Sequence, residues 1–226
     1  METAIVLAGG RSTRMGTDKA GLMFLNEPLL ARVIGRLGAE RTIVVAAPEQ
    51  TLPALSGRAV TVVRDEQPGK GPLGGLYTGL RAAESAYCTV VACDMPFTNR
   101  RLLDYSLEIA QRGSYEVVLP MVDGQLQFLH GAYSRSLIPA LQEALDDDRP
   151  ALHAFVQNRT LGVLADAELA PFLDEMDFQC NVNTPDEAQE AVARARIASS
   201  KPVVLSFWAK RRARSRSIST VLLAPA

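Results

Sequence analysis

Two groups of residues in this chain have the types and spacing to handle phosphate chemistry. The first is Leu7-Ala8-Gly9-Gly10-Arg11-Ser12-Thr13-Arg14-Met15-Gly16-Thr17-Asp18-Lys19, directly after the apolar run Ala4-Ile5-Val6-Leu7. Its glycines let the backbone turn sharply and approach a ligand. Arg11, Arg14 and Lys19 add positive charge to the same loop. Backbone amides and cations at the carboxyl end of a strand suit a bound phosphate. The loop lacks the Gly-Lys-Ser/Thr ending of a Walker loop and the G-x-G-x-x-G of a dinucleotide fingerprint.

The second group is acidic. Asp94 follows the apolar run Thr89-Val90-Val91-Ala92-Cys93, and Asp65 follows Val60-Thr61-Val62-Val63-Arg64. Parallel α/β sheets bind ligands at the carboxyl ends of their strands, so both acids are expected to face one crevice. A carboxylate there offers hard oxygen to Mg²⁺, which takes one or two carboxylates plus substrate phosphates. The blander alternative for each acid is a turn residue capping a nearby amide.

Cations and carboxylates together point to a nucleoside triphosphate. Lys19 and an arginine would neutralise phosphate oxygens, and Mg²⁺ would hold the α-phosphorus for in-line attack. A phosphate monoester nucleophile is already largely ionised near pH 7, its second pKa being about 6, and needs no general base. That suits a chain whose only histidines, His130 and His153, are distant in sequence from both groups. His130 is read either as a second-substrate contact or as a partly buried strand histidine.

The elements needed to position these groups are legible as alternating strands and helices. Strands are expected over Ala4–Leu7, Thr42–Ala46, Val60–Val63 and Thr89–Cys93. Glu27–Ala39 has helical apolar spacing, and Pro68 to Gly75 reads as a second Gly-rich turn before a helix reaching about Glu84. Further on, Glu116–Leu119, Leu126–Tyr133 and Leu161–Leu164 read as strands, and Arg135–Leu145 and Asp186–Ile197 as helices. The expected class is α/β: a single Rossmann-like, mostly parallel sheet flanked by helices.

Composition narrows the field. Residues 201–226 carry six basic residues and no acidic one, which leaves 18 basic against 25 acidic, a balance of −7, on residues 1–200. An acidic body argues against nucleic-acid binding. The three cysteines lack C-x-x-C spacing, no secretory signal is apparent, and no apolar run is long enough to cross a membrane, so a reduced, cytoplasmic setting is expected. Residues 1–198 are expected to form the nucleotidyltransferase domain, and 199–226 a disordered basic tail.

Four motifs in order, covering about residues 3–196, resemble those of the molybdenum cofactor guanylyltransferases, a family of MobA-like nucleotidyltransferases. They are Leu7-Ala8-Gly9-Gly10 with Arg14-Met15-Gly16 and Asp18-Lys19; Gly71-Pro72-Leu73-Gly74-Gly75-Leu76; Cys93-Asp94-Met95-Pro96-Phe97; and Asn181-Val182-Asn183-Thr184-Pro185. The resemblance implies transfer of GMP from GTP to the terminal phosphate of Mo-molybdopterin, with Mg²⁺ and release of pyrophosphate. It places Leu7, Ala8, Gly9 and Gly10 around guanine and ribose, Lys19 and Arg14 at the phosphates, and Asp65 on the nucleotide. Asp94 would hold the metal, and Asn181 and Asn183 would lie on the pterin side, near Gly131 to Tyr133. By analogy, the product would pass to a molybdoenzyme chaperone or apoenzyme.

Two positions bear on base choice. Family members often carry asparagine where this chain has Ala46, and related cytidylyltransferases carry alanine where it has Gly9. Gly9 is read as leaving room for a purine, which favours GTP over CTP. The competing readings are a cytidylyltransferase on the same pterin, a sugar-phosphate nucleotidyltransferase, and a non-catalytic nucleotide or cofactor carrier.

Overall fold

The computed structural model describes residues 2–9, 19–55, 59–147, 151–182 and 184–200. Its centre is β1 (Thr3–Leu7), buried along its whole length. Both faces of this strand are apolar because both are covered, as in a parallel sheet packed between helices. Ile5 and Leu7 point into one core, and Ala4 and Val6 into the other.

A two-stranded ribbon of β2 (Met23–Phe24) and β3 (Glu27–Pro28) leads into α1 (Leu29–Leu37). The sheet continues through β4 (Arg41–Ala46) and β5 (Ala59–Arg64), then α2 (Gly71–Ala82), β6 (Tyr87–Ala92) and α3 (Arg100–Gly113). Beyond these lie β7 (Val117–Val122), β8 (Gln125–Leu126), β9 (His130–Ser134) and α4 (Ile138–Leu145). They are followed by α5 (Leu152–Gln157), β10 (Leu161–Leu164) and α6 (Pro185–Ser200).

Strand order is β10-β7-β9-β6-β1-β4-β5, with β8 paired to β7. β9 runs against both β6 and β7, whereas β10, β7, β6, β1, β4 and β5 share one direction. Helices α2, α4 and α5 pack on one face, and α1 and α3 on the other. After β1 the chain adds β4 and β5 on one side and returns with β6 on the other. The sheet therefore has its switch point between β1 and β6, where open α/β sheets place their ligand crevice.

Three expectations about elements are corrected. Leu126–Tyr133 is not one strand: the chain turns between β8 and β9, with the Gln127 amide on Pro120 O and the His130 amide on Gln127 O. The Gly-rich stretch from Gly71 to Gly75 is the first part of α2 rather than a turn ahead of it. Pro72 suits that first turn, where a missing N–H costs no helical bond. The last helix starts at Pro185 and runs to Ser200, across the expected domain boundary. The basic stretch from Lys201 lies outside the described residues.

Candidate active site

The switch point brings the two chemical groups together. Leu7 is in register with Ala92, and the Cys93 amide donates to Leu7 O at 3.1 Å, so the chain leaves β1 and β6 side by side. From the β6 side comes Asp94. From the β1 side comes Lys19, in a short 3₁₀ turn whose Ala20 is buried beside α1. Lys19 Nζ donates to Asp94 Oδ2 at 3.3 Å, with 30% and 16% of the two side chains exposed. Asp94 Oδ1 is buried and has no hydrogen-bond partner among the described residues.

An orphaned carboxylate oxygen in a crevice is expensive unless something cationic completes it. Asp94 therefore fits a divalent cation that takes its remaining ligands from substrate phosphates and water. No group of three or more metal-ligating side chains occurs among the described residues.

Asp65 lies elsewhere. It follows β5, three strands from β6, roughly 14 Å across a sheet of ordinary spacing. Its Oδ1 accepts the Gln67 amide at 2.9 Å and the Thr78 hydroxyl at 3.2 Å, and its own amide donates to Ala46 O. The two acids, expected to face one crevice, thus stand at the ends of strands three apart in the sheet. Asp65 orders the turn into α2, while Asp94 meets Lys19.

The β1 exit is also more constrained than its glycines suggest. The amides of Ala8 and Gly9 both donate to Val45 O, so neither is left for a phosphate. Leu7 is buried against α2, and its side chain bounds the space beside Gly75. A Cβ on Gly9 would lie 3.0 Å from Ala47 N, in the backbone leaving β4. That backbone is fixed: Gln50 donates from Nε2 to Ala8 O and accepts the Ala47 amide at Oε1, both at 3.0 Å. Arg64 Nη1 donates to Ala47 O and Gln50 O. The glycine is required by close approach of two backbones, whatever room it leaves for a base. Gly10, Arg11 and Arg14 lie outside the described residues.

The late motif reaches the same place. The Val182 amide donates to Asp94 O at 2.8 Å, leaving Asn181 exposed beside the carboxylate segment. Asn183 is outside the described residues. His130 is fully buried: its ring lies 4.4 Å from that of Phe178, and its Nε2 accepts the Asn99 amide at 3.1 Å. Burial lowers its pKa to about 3, so the imidazole is neutral. The strand-histidine reading holds, more deeply buried than expected.

Sequence reasoning missed Arg32 and Arg36 of α1. Arg32 Nε donates to Pro96 O at 3.2 Å and Arg36 Nε to Thr98 O at 2.9 Å, bracing the loop after Asp94. Their four-residue spacing on the polar side of α1 was the available signal.

An open α/β sheet with a lysine–aspartate pair at its switch point is an arrangement suited to nucleotide phosphates. Residues 4–164 match the MobA-like NTP transferase domain, and the chain belongs to that family. It is 37% identical over 199 residues to a protein of Pelotomaculum thermopropionicum named "Probable molybdenum cofactor guanylyltransferase", covering 84% of this chain and 91% of that one. The fold is similar to that of molybdopterin-guanine dinucleotide biosynthesis protein A from Archaeoglobus fulgidus (TM-score 0.73, 22% identity, 86% of this chain and 99% of the other). It is also similar to 2-C-methyl-D-erythritol 4-phosphate cytidylyltransferase from Thermus thermophilus (TM-score 0.63, 18% identity, 87% and 100%). Among the described residues no helix is long and apolar enough to cross a membrane.

Proposed function

We propose that this chain transfers GMP from GTP to the terminal phosphate of Mo-molybdopterin, giving molybdopterin guanine dinucleotide and pyrophosphate. The observation that carries the reading is the Lys19–Asp94 pair with its orphaned Oδ1 at the β1/β6 switch point. The guanine and pterin assignments draw on the name of the 37% identical relative.

In this reading an oxygen of the pterin phosphate attacks the α-phosphorus of GTP. The new P–O bond forms as the bond to the β-phosphate oxygen breaks, and pyrophosphate leaves with the electron pair. A phosphate nucleophile needs no base. The two histidines fit that, one buried and neutral, the other exposed on α5. Lys19 exchanges Asp94 for the triphosphate oxygens, with Arg14 assisting. Mg²⁺, held by Asp94, would neutralise charge on the phosphates and polarise the α-phosphorus. Leu7, Ala8, Gly9 and Gly10 border the base and ribose, Asp65 lies on the nucleotide side beyond them, and Asn181 and Asn183 face the pterin. Delivery to a chaperone or apoenzyme would follow transfer.

Calorimetric titration with GTP, CTP and ATP, with and without Mg²⁺, tests this reading beside an Asp94→Asn variant. The expected result is binding of GTP alone, with a metal-dependent part that D94N loses. Preference for CTP overturns the guanine assignment. A metal response unchanged in D94N overturns the metal assignment.

A further inference from the structure

The loop that follows Asp94 is held by a residue that takes no part in the transfer chemistry. His130 opens β9 in register with Val91 of β6, three positions before Asp94. Its Nε2 accepts the Asn99 amide, which leaves the ring proton on Nδ1. Nδ1 is buried and has no partner among the described residues. An apolar ring would fill the site without burying that donor, so packing alone does not account for a histidine here.

Its two neighbours do. Asn99 ends the Asp94 loop and caps α3, its side chain accepting the Leu102 amide at 3.0 Å. Between Asp94 and Asn99 the turn is closed by the Thr98 amide and hydroxyl, both on Met95 O. Phe178, against the other face of the imidazole, starts the segment that reaches Val182, whose amide lies on Asp94 O. One ring thus touches both chain segments that meet at Asp94. One comes from the metal side of the crevice, and the other carries Asn181.

We infer that His130 is a positioning residue that sets the Asp94 loop and the Asn181 segment against each other, coupling the metal–nucleotide site to the acceptor site. The acceptor on Nε2 fixes the first segment, and the ring face fixes the second. The inference rests on the guanylyltransferase reading given above.

The test separates the two contacts. His130→Phe keeps a ring against Phe178 and removes the acceptor; His130→Gln offers an acceptor without the ring; Phe178→Leu leaves His130 in place and removes its stacking partner. Mn²⁺ binding in the presence of GTP, followed by electron paramagnetic resonance, is expected to weaken roughly tenfold in H130F, as for residues that orient metal ligands. H130Q should recover most of that loss. F178L should raise the KM for Mo-molybdopterin while leaving Mn²⁺·GTP binding unchanged.

Unaltered Mn²⁺·GTP binding in H130F overturns the assignment even if its melting temperature falls, because the residue is then structural only. An H130Q protein no better than H130F, or an F178L protein with unchanged KM for the pterin, overturns it as well. Failure of the unaltered chain to bind GTP with Mn²⁺ is a different result: it removes the functional reading, and the inference with it.

Discussion

At the scale of single residues, the Lys19 ammonium sits on Asp94 Oδ2, and its charge opposes a cation arriving at the open Oδ1 of the same carboxylate. A charge pair of this partial exposure contributes about 1 kcal/mol. Replacing Lys19 with methionine should therefore tighten Mn²⁺ binding to the nucleotide-free protein by roughly fivefold while weakening GTP. Calorimetry with Mn²⁺ alone checks it, and unchanged Mn²⁺ affinity would show that Lys19 does not compete for the site. Gly9 offers a second test. Its missing Cβ would press on Ala47 N, in a loop that Gln50 clamps to Ala8. Gly9→Ala should weaken GTP binding because the clamped loop cannot yield. In a Gln50→Ala background the loop can move, so the two losses should fall short of additive by about 0.5–1 kcal/mol. Fully additive losses in GTP affinity would separate Gly9 from the clamp. Lys19 and Asp94 were each readable as phosphate and metal candidates because residue type, a Gly-rich loop and a strand end are local properties, whereas their contact with each other was not. The Gln50 clamp was not, since a carboxamide in a polar loop has no pattern until the β1 and β4 exits are brought together.

At the scale of elements, legibility followed local physics in the same way. β1, β4 and β6 announce themselves as apolar, β-branched runs, because strands of a covered parallel sheet have no polar face, and β5 shares that β-branched composition although it is an exposed edge strand. The reversal of β9 left no such mark: direction is set by which neighbours remain unpaired, and an antiparallel strand buried on both faces reads like a parallel one. The ribbon of β2 and β3 is too short to show a period. The start of α2 was misread for a physical reason, since Gly71, Pro72, Gly74 and Gly75 are poor helix formers. Gly71 has a φ of +63°, which favours glycine, a Cβ on Gly74 would lie 2.6 Å from Gln67 O, and Gly75 and Gly79 are explained by contact with the sheet. A Cβ on Gly75 would sit 3.2 Å from Leu7 Cδ2, and one on Gly79 would sit 2.5 Å from Ile5 Cγ2. Close seating of α2 holds β1 and its exit in place, so helix propensity is sacrificed to it. Gly79→Ala should consequently destabilise the fold by about 1–3 kcal/mol through overpacking, despite the up to ~1 kcal/mol that alanine gains inside a helix. Urea unfolding measures the balance. A more stable G79A protein would mean that propensity outweighs the Ile5 contact.

At the scale of the whole molecule, the question is how much of the chain the crevice needs. The far wall of the site depends on α6: its Ala188 and Ala191 pack with Phe24, Leu29, Phe97 and Val182 in one cluster. Phe97 is three residues from Asp94, and Val182 donates to the Asp94 carbonyl, so this cluster bears on both segments that frame the carboxylate. Removing α6 would uncover Phe24 and Val182, at about 25 cal/mol per Å² of apolar surface returned to water. The residues after Ser200 lie outside the family match at residues 4–164, and their sequence carries six basic residues without an acidic one. A chain ending at Ser200 should therefore melt at the same temperature as the full chain and bind GTP equally well, whereas one ending at Thr184 should melt lower and lose metal-dependent binding. The basic stretch would offset the acidic body only through long-range charge, which salt screens within about 10 Å at 0.1 M. If the chain ending at Ser200 loses GTP affinity at low salt and regains it at high salt, the tail acts through that field. A loss that salt leaves untouched would mean that residues after Ser200 belong to the site itself.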